Sequence, residues 1–264
     1  MSVRDRFKPR FSPWTARCQE LKIAISGKGG SGKSTVTVLL ARALSGMGFE
    51  VTVFDADESN MGLARMLGVS DPETVMDLYG GKQGFKRVLN AGEPINPDVS
   101  LVESKAEGIR FVRVGKIERG GEGCACLMGI LAKEVLSKLK TGDREVVLVD
   151  TEAGIEHLGR GVDQSVDAIL FVVDPTFDSL MLVEKAKRMA LDLGVSRFMA
   201  ILNKVDEQLT PLLHEKLEGM GVKVLGSIRR DDKVFMSSLK GDKLEAGVAM
   251  EDAVKIAKAL VEGW

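Results

Sequence analysis

Two short stretches carry residues whose types and spacing could do chemistry. The first is Gly27–Thr35, GKGGSGKST, which satisfies the pattern G-x-x-x-x-G-K-[ST] between a strand-like run and a helix-like run. Glycines let the backbone bend so that successive N–H groups and a helix N-terminus converge on a phosphate, so Gly29, Gly30, Ser31, Gly32, Lys33, Ser34 and Thr35 read as a nucleotide-binding loop. Lys33 is expected to reach the β- and γ-phosphates and Ser34 to ligate Mg²⁺. The second stretch is Gly120–Gly129, GGEGCACLMG, where Cys124 and Cys126 stand one residue apart just before a helical pattern. In an extended segment residues i and i+2 face one side, so the two sulfurs share a surface. Two thiolates do not close a site, but a two-fold dimer doubles them. Four sulfurs at roughly 2.3 Å give the tetrahedral geometry of Zn²⁺, for which Ni²⁺ competes.

Elements must position these groups. Leu21–Ser26, Val51–Asp55, Glu145–Asp150, Ala168–Asp174, Phe198–Asn203 and Val222–Ser227 are apolar runs of strand length. Helical patterns at Ser34–Met47, Leu180–Leu193 and Leu209–Met220 lie between them, with a last one at Met250–Glu262. That alternation predicts an α/β fold, a doubly wound, mostly parallel sheet flanked by helices. Residues 71–140 interrupt the alternation with helical pieces around Thr74–Tyr79 and Gln83–Asn90 and a strand at Ile109–Val114; this insertion bears the C-x-C. Residues 1–20 read as an extension preceding a single domain, 21–264. Lysine and arginine number 37 against 38 acids, so no global field favours nucleic acid or an anionic membrane, and neither is expected as a partner. Three cysteines, no secretory segment and no membrane-spanning apolar run predict a cytoplasmic location. Cys18 receives no role, and His157, His214 and the 12 methionines read as loop, surface and packing residues.

The second lysine of the loop, Lys28, gives it the form GKGGxGKST, which resembles the deviant Walker A motif of the dimeric ATPases that include MinD, ParA, nitrogenase iron protein and the nickel-insertion ATPases. The resemblance implies a homodimer sandwiching ATP or ADP with Mg²⁺, in which Lys28 reaches the partner's phosphates. It implies that Asp57, in the switch-like DADESN, acts on the attacking water and that Asp55 and Asp150 hold the magnesium shell, with Gly154 of VLVDTEAG sensing the γ-phosphate. It also implies that Asn203 of LNKVD reads adenine. Asp57 and Asp55 serve equally as helix caps on their residue type alone. Ile228–Asp231 departs from the family's I-P-x-D, and Asp206 is placed as in guanine-reading proteins, so base selectivity is less defined than phosphate binding. The C-x-C together with DTEAGIEHLGRG closely resembles the CooC-type ATPases that mature nickel carbon monoxide dehydrogenase, although Leu127 stands where those often have proline. The implied function is an ATP-hydrolysing metallochaperone that serves a nickel enzyme client such as carbon monoxide dehydrogenase. Its Zn²⁺ or Ni²⁺ would be shared between subunits by Cys124 and Cys126. Alternatives are an iron–sulfur or electron-transfer ATPase like nitrogenase iron protein, and a positioning ATPase of the MinD or ParA kind.

Overall fold

The computed structural model describes residues 21–60, 62–70, 72–116, 126–139, 141–155 and 165–263. Eight strands form one sheet in the order β3-β4-β2-β5-β1-β6-β7-β8. They are β1 Leu21–Gly27, β2 Glu50–Asp55, β3 Ser104–Ala106, β4 Ile109–Arg113, β5 Glu145–Asp150, β6 Ala168–Val173, β7 Arg197–Val205 and β8 Lys223–Arg229. Every pairing is parallel except the β3–β4 hairpin. The described helices are α1 Lys33–Gly46, α2 Gly62–Leu67, α3 Gly81–Ala91, α4 Cys126–Lys138, α5 Phe177–Asp192, α6 Leu209–Gly219, α7 Asp232–Lys240 and α8 Val248–Glu262.

The continuous apolar strands are those buried on both faces, as a sheet covered by helices on either side requires. Alternate residues feed two cores. On one face Ile23 and Ile25 of β1 and Leu170 of β6 meet Leu40 of α1 and Ile256 of α8. On the other, Ala24, Val147 and Phe171 meet Leu131 and Val135 of α4 and Val183 of α5. Full burial of each large aliphatic or aromatic side chain contributes about 1.5–3 kcal/mol, so these layers fix the strands against one another.

The expected doubly wound sheet is what the chain forms. Within 71–140, β4 is more than a local strand: it lies beside β2 in parallel register, Thr52 facing Arg110 and Asp55 facing Arg113. Its side chains Phe111 and Val112 are buried in opposite cores, and α4 packs against the same sheet through Leu131 and Leu136. Parallel strand order thus brings the carboxyl ends of β1, β2, β4, β5 and β6 to one edge, where loops can assemble a site.

Candidate functional site

The phosphate loop leaves β1 at Gly27, whose backbone sits at φ 151° and where a Cβ would lie 2.6 Å from Val172 O; only glycine turns here. The loop closes with Ser31 N donating to Lys28 O at 3.1 Å. Gly32, at φ 95°, then precedes α1, and no side chain caps that helix and no acid stands in its first turn. The first N–H groups of α1 therefore remain directed at an anion, the arrangement that binds phosphate. Thr35 is half-buried in that first turn, and a Cβ added at Gly29 would lie 3.6 Å from Ala153 Cβ.

Two consecutive residues at the end of β7 hold the loop from below. Asn203 Nδ2 donates to Ser31 O at 2.7 Å and Lys204 Nζ to Gly30 O at 2.6 Å. The Asn203 side chain is buried, and its amide nitrogen supports the loop backbone. Asp206 Oδ1 accepts from the N–H groups of Gln208 and Leu209 at the start of α6, and Asp231 caps α7, accepting from Lys233 N and Val234 N as well as from Gly247 N and Ala249 N. Asp231 thus caps α7, and Asp206 shapes the turn that leads into α6.

The buried end of α1 meets the carboxyl ends of β5 and β2. Asp150 is fully buried; Ser34 Oγ donates to its Oδ2 at 2.7 Å and Thr37 Oγ1 lies 3.2 Å from its Oδ1. Asn60 Nδ2 donates to Ser34 Oγ at 2.6 Å. Asp55 stands opposite Asp150 in the β2–β5 register. Burial, with the Asp55 carboxylate next, pushes Asp150 up to about 7. Burial also raises Asp55, against Lys116 and Arg113, whose nitrogens lie 3.0 and 3.1 Å from its Oδ2. Asp55 Oδ1 is buried without a hydrogen-bond partner. A buried hydroxyl, two carboxylates pressed together and an unpaired oxygen among them are a donor set suited to a hard divalent cation such as Mg²⁺. Burial lowers Lys33, opposed by Asp150 and then Asp57, so its ammonium waits in a poorly solvated place where a phosphate restores what water does not.

Asp57 is also buried. Its Oδ1 accepts from Ser59 N, Ser59 Oγ and Asn60 N at 3.0, 2.7 and 3.2 Å, which shapes the loop before α2. Lys28 points away from the phosphate loop: its Nζ donates to Thr176 Oγ1 at 3.1 Å and lies 3.9 Å from Asp178. Gly154 N donates to Gly27 O at 3.0 Å, tying the segment after β5 to the loop. Cys126 is the first residue of α4 and exposed. It is disulfide-bonded to a partner outside the described residues. Cys18, Cys124 and His157 lie outside them too, while His214 stands 3.4 Å from Glu218 one turn along α6.

The structure brings together Lys33, Ser34, Asp55, Asp57 and Asp150 at one edge of the sheet. Thr37, Asn60, Arg113, Lys116 and Lys204 join them and were not singled out in the sequence. Of these, Asn60 and Lys204 had a local signal, since Asn60 closes the switch-like DADESN and Lys204 stands inside LNKVD.

Comparison with known proteins agrees with this geometry. Residues 22–244 match the family described as the CobQ/CobB/MinD/ParA nucleotide binding domain. An uncharacterized ATP-binding protein of Methanocaldococcus jannaschii is 38% identical over 89% of this chain and 99% of its own. The carbon monoxide dehydrogenase accessory protein CooC of Rhodospirillum rubrum is 34% identical over 70% of this chain and 74% of its own. Among solved structures, the cell division ATPase MinD of Pyrococcus furiosus superposes with a TM-score of 0.70 over 93% of this chain and all of its own, at 23% identity.

Proposed function

Because this chain belongs to the CobQ/CobB/MinD/ParA family of nucleotide-binding proteins, we propose that it is an ATPase working as a cytoplasmic, homodimeric metallochaperone. ATP hydrolysis would gate a thiolate site shared between subunits, and a nickel enzyme of the carbon monoxide dehydrogenase kind is the client. The similarity to a carbon monoxide dehydrogenase accessory protein supports this choice among the family's roles. Among the described residues no helix is long and apolar enough to cross a membrane. One observation carries the reading: α4, which opens with Cys126, belongs to the arm leaving β4, and β4 ends beside Asp55 at the phosphate site. Gly115 lies against Met128 of α4, so a change at the nucleotide has a packed route to the start of that helix.

In this reading the helix N-terminus and Lys33 take the β- and γ-phosphates, and Lys33 offsets the charge that develops on them during transfer. Ser34, Asp150 and Asp55 hold magnesium, which supplies further neutralisation of the phosphate oxygens. Asp57 orients the attacking water with the carboxylate oxygen its loop leaves free. Lys28 leaves Thr176 to engage the partner's nucleotide across the dimer, and the Asn203 carbonyl contributes to base contact. Cys124 and Cys126 of each subunit bind the metal as cargo, which requires both as thiolates, so the disulfide at Cys126 must be reduced first.

The test is an anaerobic titration of Ni²⁺ and Zn²⁺ into fully reduced dimer, with and without a non-hydrolysable ATP analogue. The expected result is one metal per dimer, an affinity that changes with nucleotide, and loss of binding in Cys124→Ser and Cys126→Ser alike. Undiminished binding in both variants, or one affinity in both nucleotide states, overturns the shared and gated site. A brown cluster chromophore on reconstitution with iron and sulfide would instead favour an iron–sulfur role.

A further inference from the structure

Lys116 stands three residues beyond β4, and its ammonium is almost wholly enclosed, its side chain 4% exposed. It donates to the backbone oxygens of Asp57 and Asn60 and lies 3.0 Å from Asp55 Oδ2. A lysine ammonium has three N–H donors and no acceptor. Here all three have acceptors, two on one loop and one on the neighbouring strand end.

Neutralising Asp55 does not by itself require this lysine, because Arg113 Nε already lies 3.1 Å from the same oxygen. What Lys116 adds is the hold on the two carbonyls. The loop it grips is functional on both sides: Asp57 adds to the field on Lys33 and Asp150, and Asn60 Nδ2 donates to Ser34 Oγ, which in turn donates to Asp150. The grip is itself anchored. Val114 N donates to Asp55 O at 3.0 Å, and at Gly115 a Cβ would lie 2.6 Å from Met128 Sδ of α4. The backbone carrying Lys116 is thus fixed between β2 and the helix that begins at Cys126.

We propose that Lys116 is a positioning residue for ATP hydrolysis: its ammonium staples the Asp57–Asn60 loop to the end of β2, so that Asp57 and Asn60 stand over the phosphate loop before nucleotide arrives. The hydrolytic part of this rests on the ATPase reading above; the staple itself does not. A preset loop lowers the barrier by sparing reorganisation at the moment of reaction. Removal of the staple should therefore slow turnover much more than it weakens nucleotide binding.

The test compares Lys116→Met, which keeps length and removes the donors, with Lys116→Arg, which keeps the charge beside Asp55. In nucleotide-free full-length protein, hydrogen exchange across residues 56–62 is expected to quicken at least tenfold in Lys116→Met and by less in Lys116→Arg, whose guanidinium keeps charge and donors. Steady-state hydrolysis by Lys116→Met should lose at least tenfold in kcat with KM for ATP within threefold. Should Lys116→Met fail to fold by circular dichroism, Lys116→Gln, which keeps a polar end at the site, is held to the same criteria. Exchange and kcat within twofold of the unaltered protein overturn the proposal, as does a raised KM at unchanged kcat. Because a guanidinium carries N–H donors as well as charge, Lys116→Arg does not decide alone; exchange in Lys116→Met no faster than in Lys116→Arg likewise overturns the staple. Absence of hydrolysis in the unaltered protein would defeat the ATPase reading alone, and the exchange comparison would still decide on Lys116.

Discussion

Replacing Asp150 by asparagine removes one negative charge from a fully buried place while keeping the shape of the side chain and an acceptor oxygen for Ser34 or Thr37. In the nucleotide-free protein that carboxyl is held up near about 7 from its ordinary 3.8 by burial and by Asp55 across the strand pair. The sign follows from linkage. A carboxyl whose folded pKa is raised binds its proton more tightly when folded, so its contribution is fully present below pH 4 and is lost as pH rises through about 7. At ~1.4 kcal/mol for each tenfold change in proton affinity, the whole effect is on the order of 4 kcal/mol, more than half of it between pH 5 and pH 8. Urea denaturation in chelator, without nucleotide, measures this. Stability of the unaltered protein should fall by a few kcal/mol, on the order of 2–3, across that window, and Asp150→Asn should lose at least half of the slope, with Asp55 supplying a remainder of the same sign. The asparagine protein should be the more stable of the two at pH 8, and it should lose magnesium-dependent nucleotide binding. A flat profile for the unaltered protein, or the same slope in both, would refute the reasoning.

Lys33→Ala should abolish hydrolysis, measured as phosphate release, whereas Lys28→Gln should retain nucleotide binding and lose ATP-dependent dimerisation by light scattering; normal turnover in the first sinks the phosphate-loop assignment. Asp57→Asn keeps an oxygen for the three donors that shape its loop, so stability should change by less than about 1 kcal/mol while single-turnover hydrolysis falls at least a hundredfold; an unchanged rate leaves Asp57 as a cap only. At Gly32 an added Cβ would lie 2.3 Å from Asn203 Nδ2 in a backbone conformation that alanine disfavours; Gly32→Ala should cost on the order of 2 kcal/mol in melting experiments and weaken nucleotide affinity at least tenfold. Affinity equal to that of the unaltered protein would show the Asn203 support to be dispensable.

The parts that the sequence reveals are those whose determinants are local. Gly27–Thr35 announces itself because the turn, the helix start and the lysine occur within nine residues, and the buried parallel strands stand out because both faces must be apolar. What stayed hidden depends on register across the sheet. Arg113 and Lys116 reach Asp55 only because β4 pairs with β2, and Thr37 meets Asp150 over a separation of 113 residues. Helix α7 was not anticipated: Phe235, Met236 and Leu239 stand at helical spacing within a short stretch, yet they face solvent instead of a core. Asp206 and Asp231 illustrate the opposite difficulty: one carboxylate type serves base recognition and helix capping equally well in a motif, and only the hydrogen bonds around it separate the two.

The parallel seat of β4 between β2 and β3 also constrains how such proteins could be recombined. An arm appended at the rim of a sheet can be cut away at its base, but deleting 71–140 here would strip β2 of one of its two partners, leaving β5 alone beside it, and expose a row of backbone donors and acceptors to self-association. A graft meant to exchange the cysteine-bearing segment should therefore be joined after Lys116 and before the buried stretch of α4 that begins at Met128. Within those limits the sheet, the salt-bridged end of β2 and the phosphate loop pass unchanged to the chimera, and the metal role proposed for the cysteines can be exchanged separately from nucleotide binding.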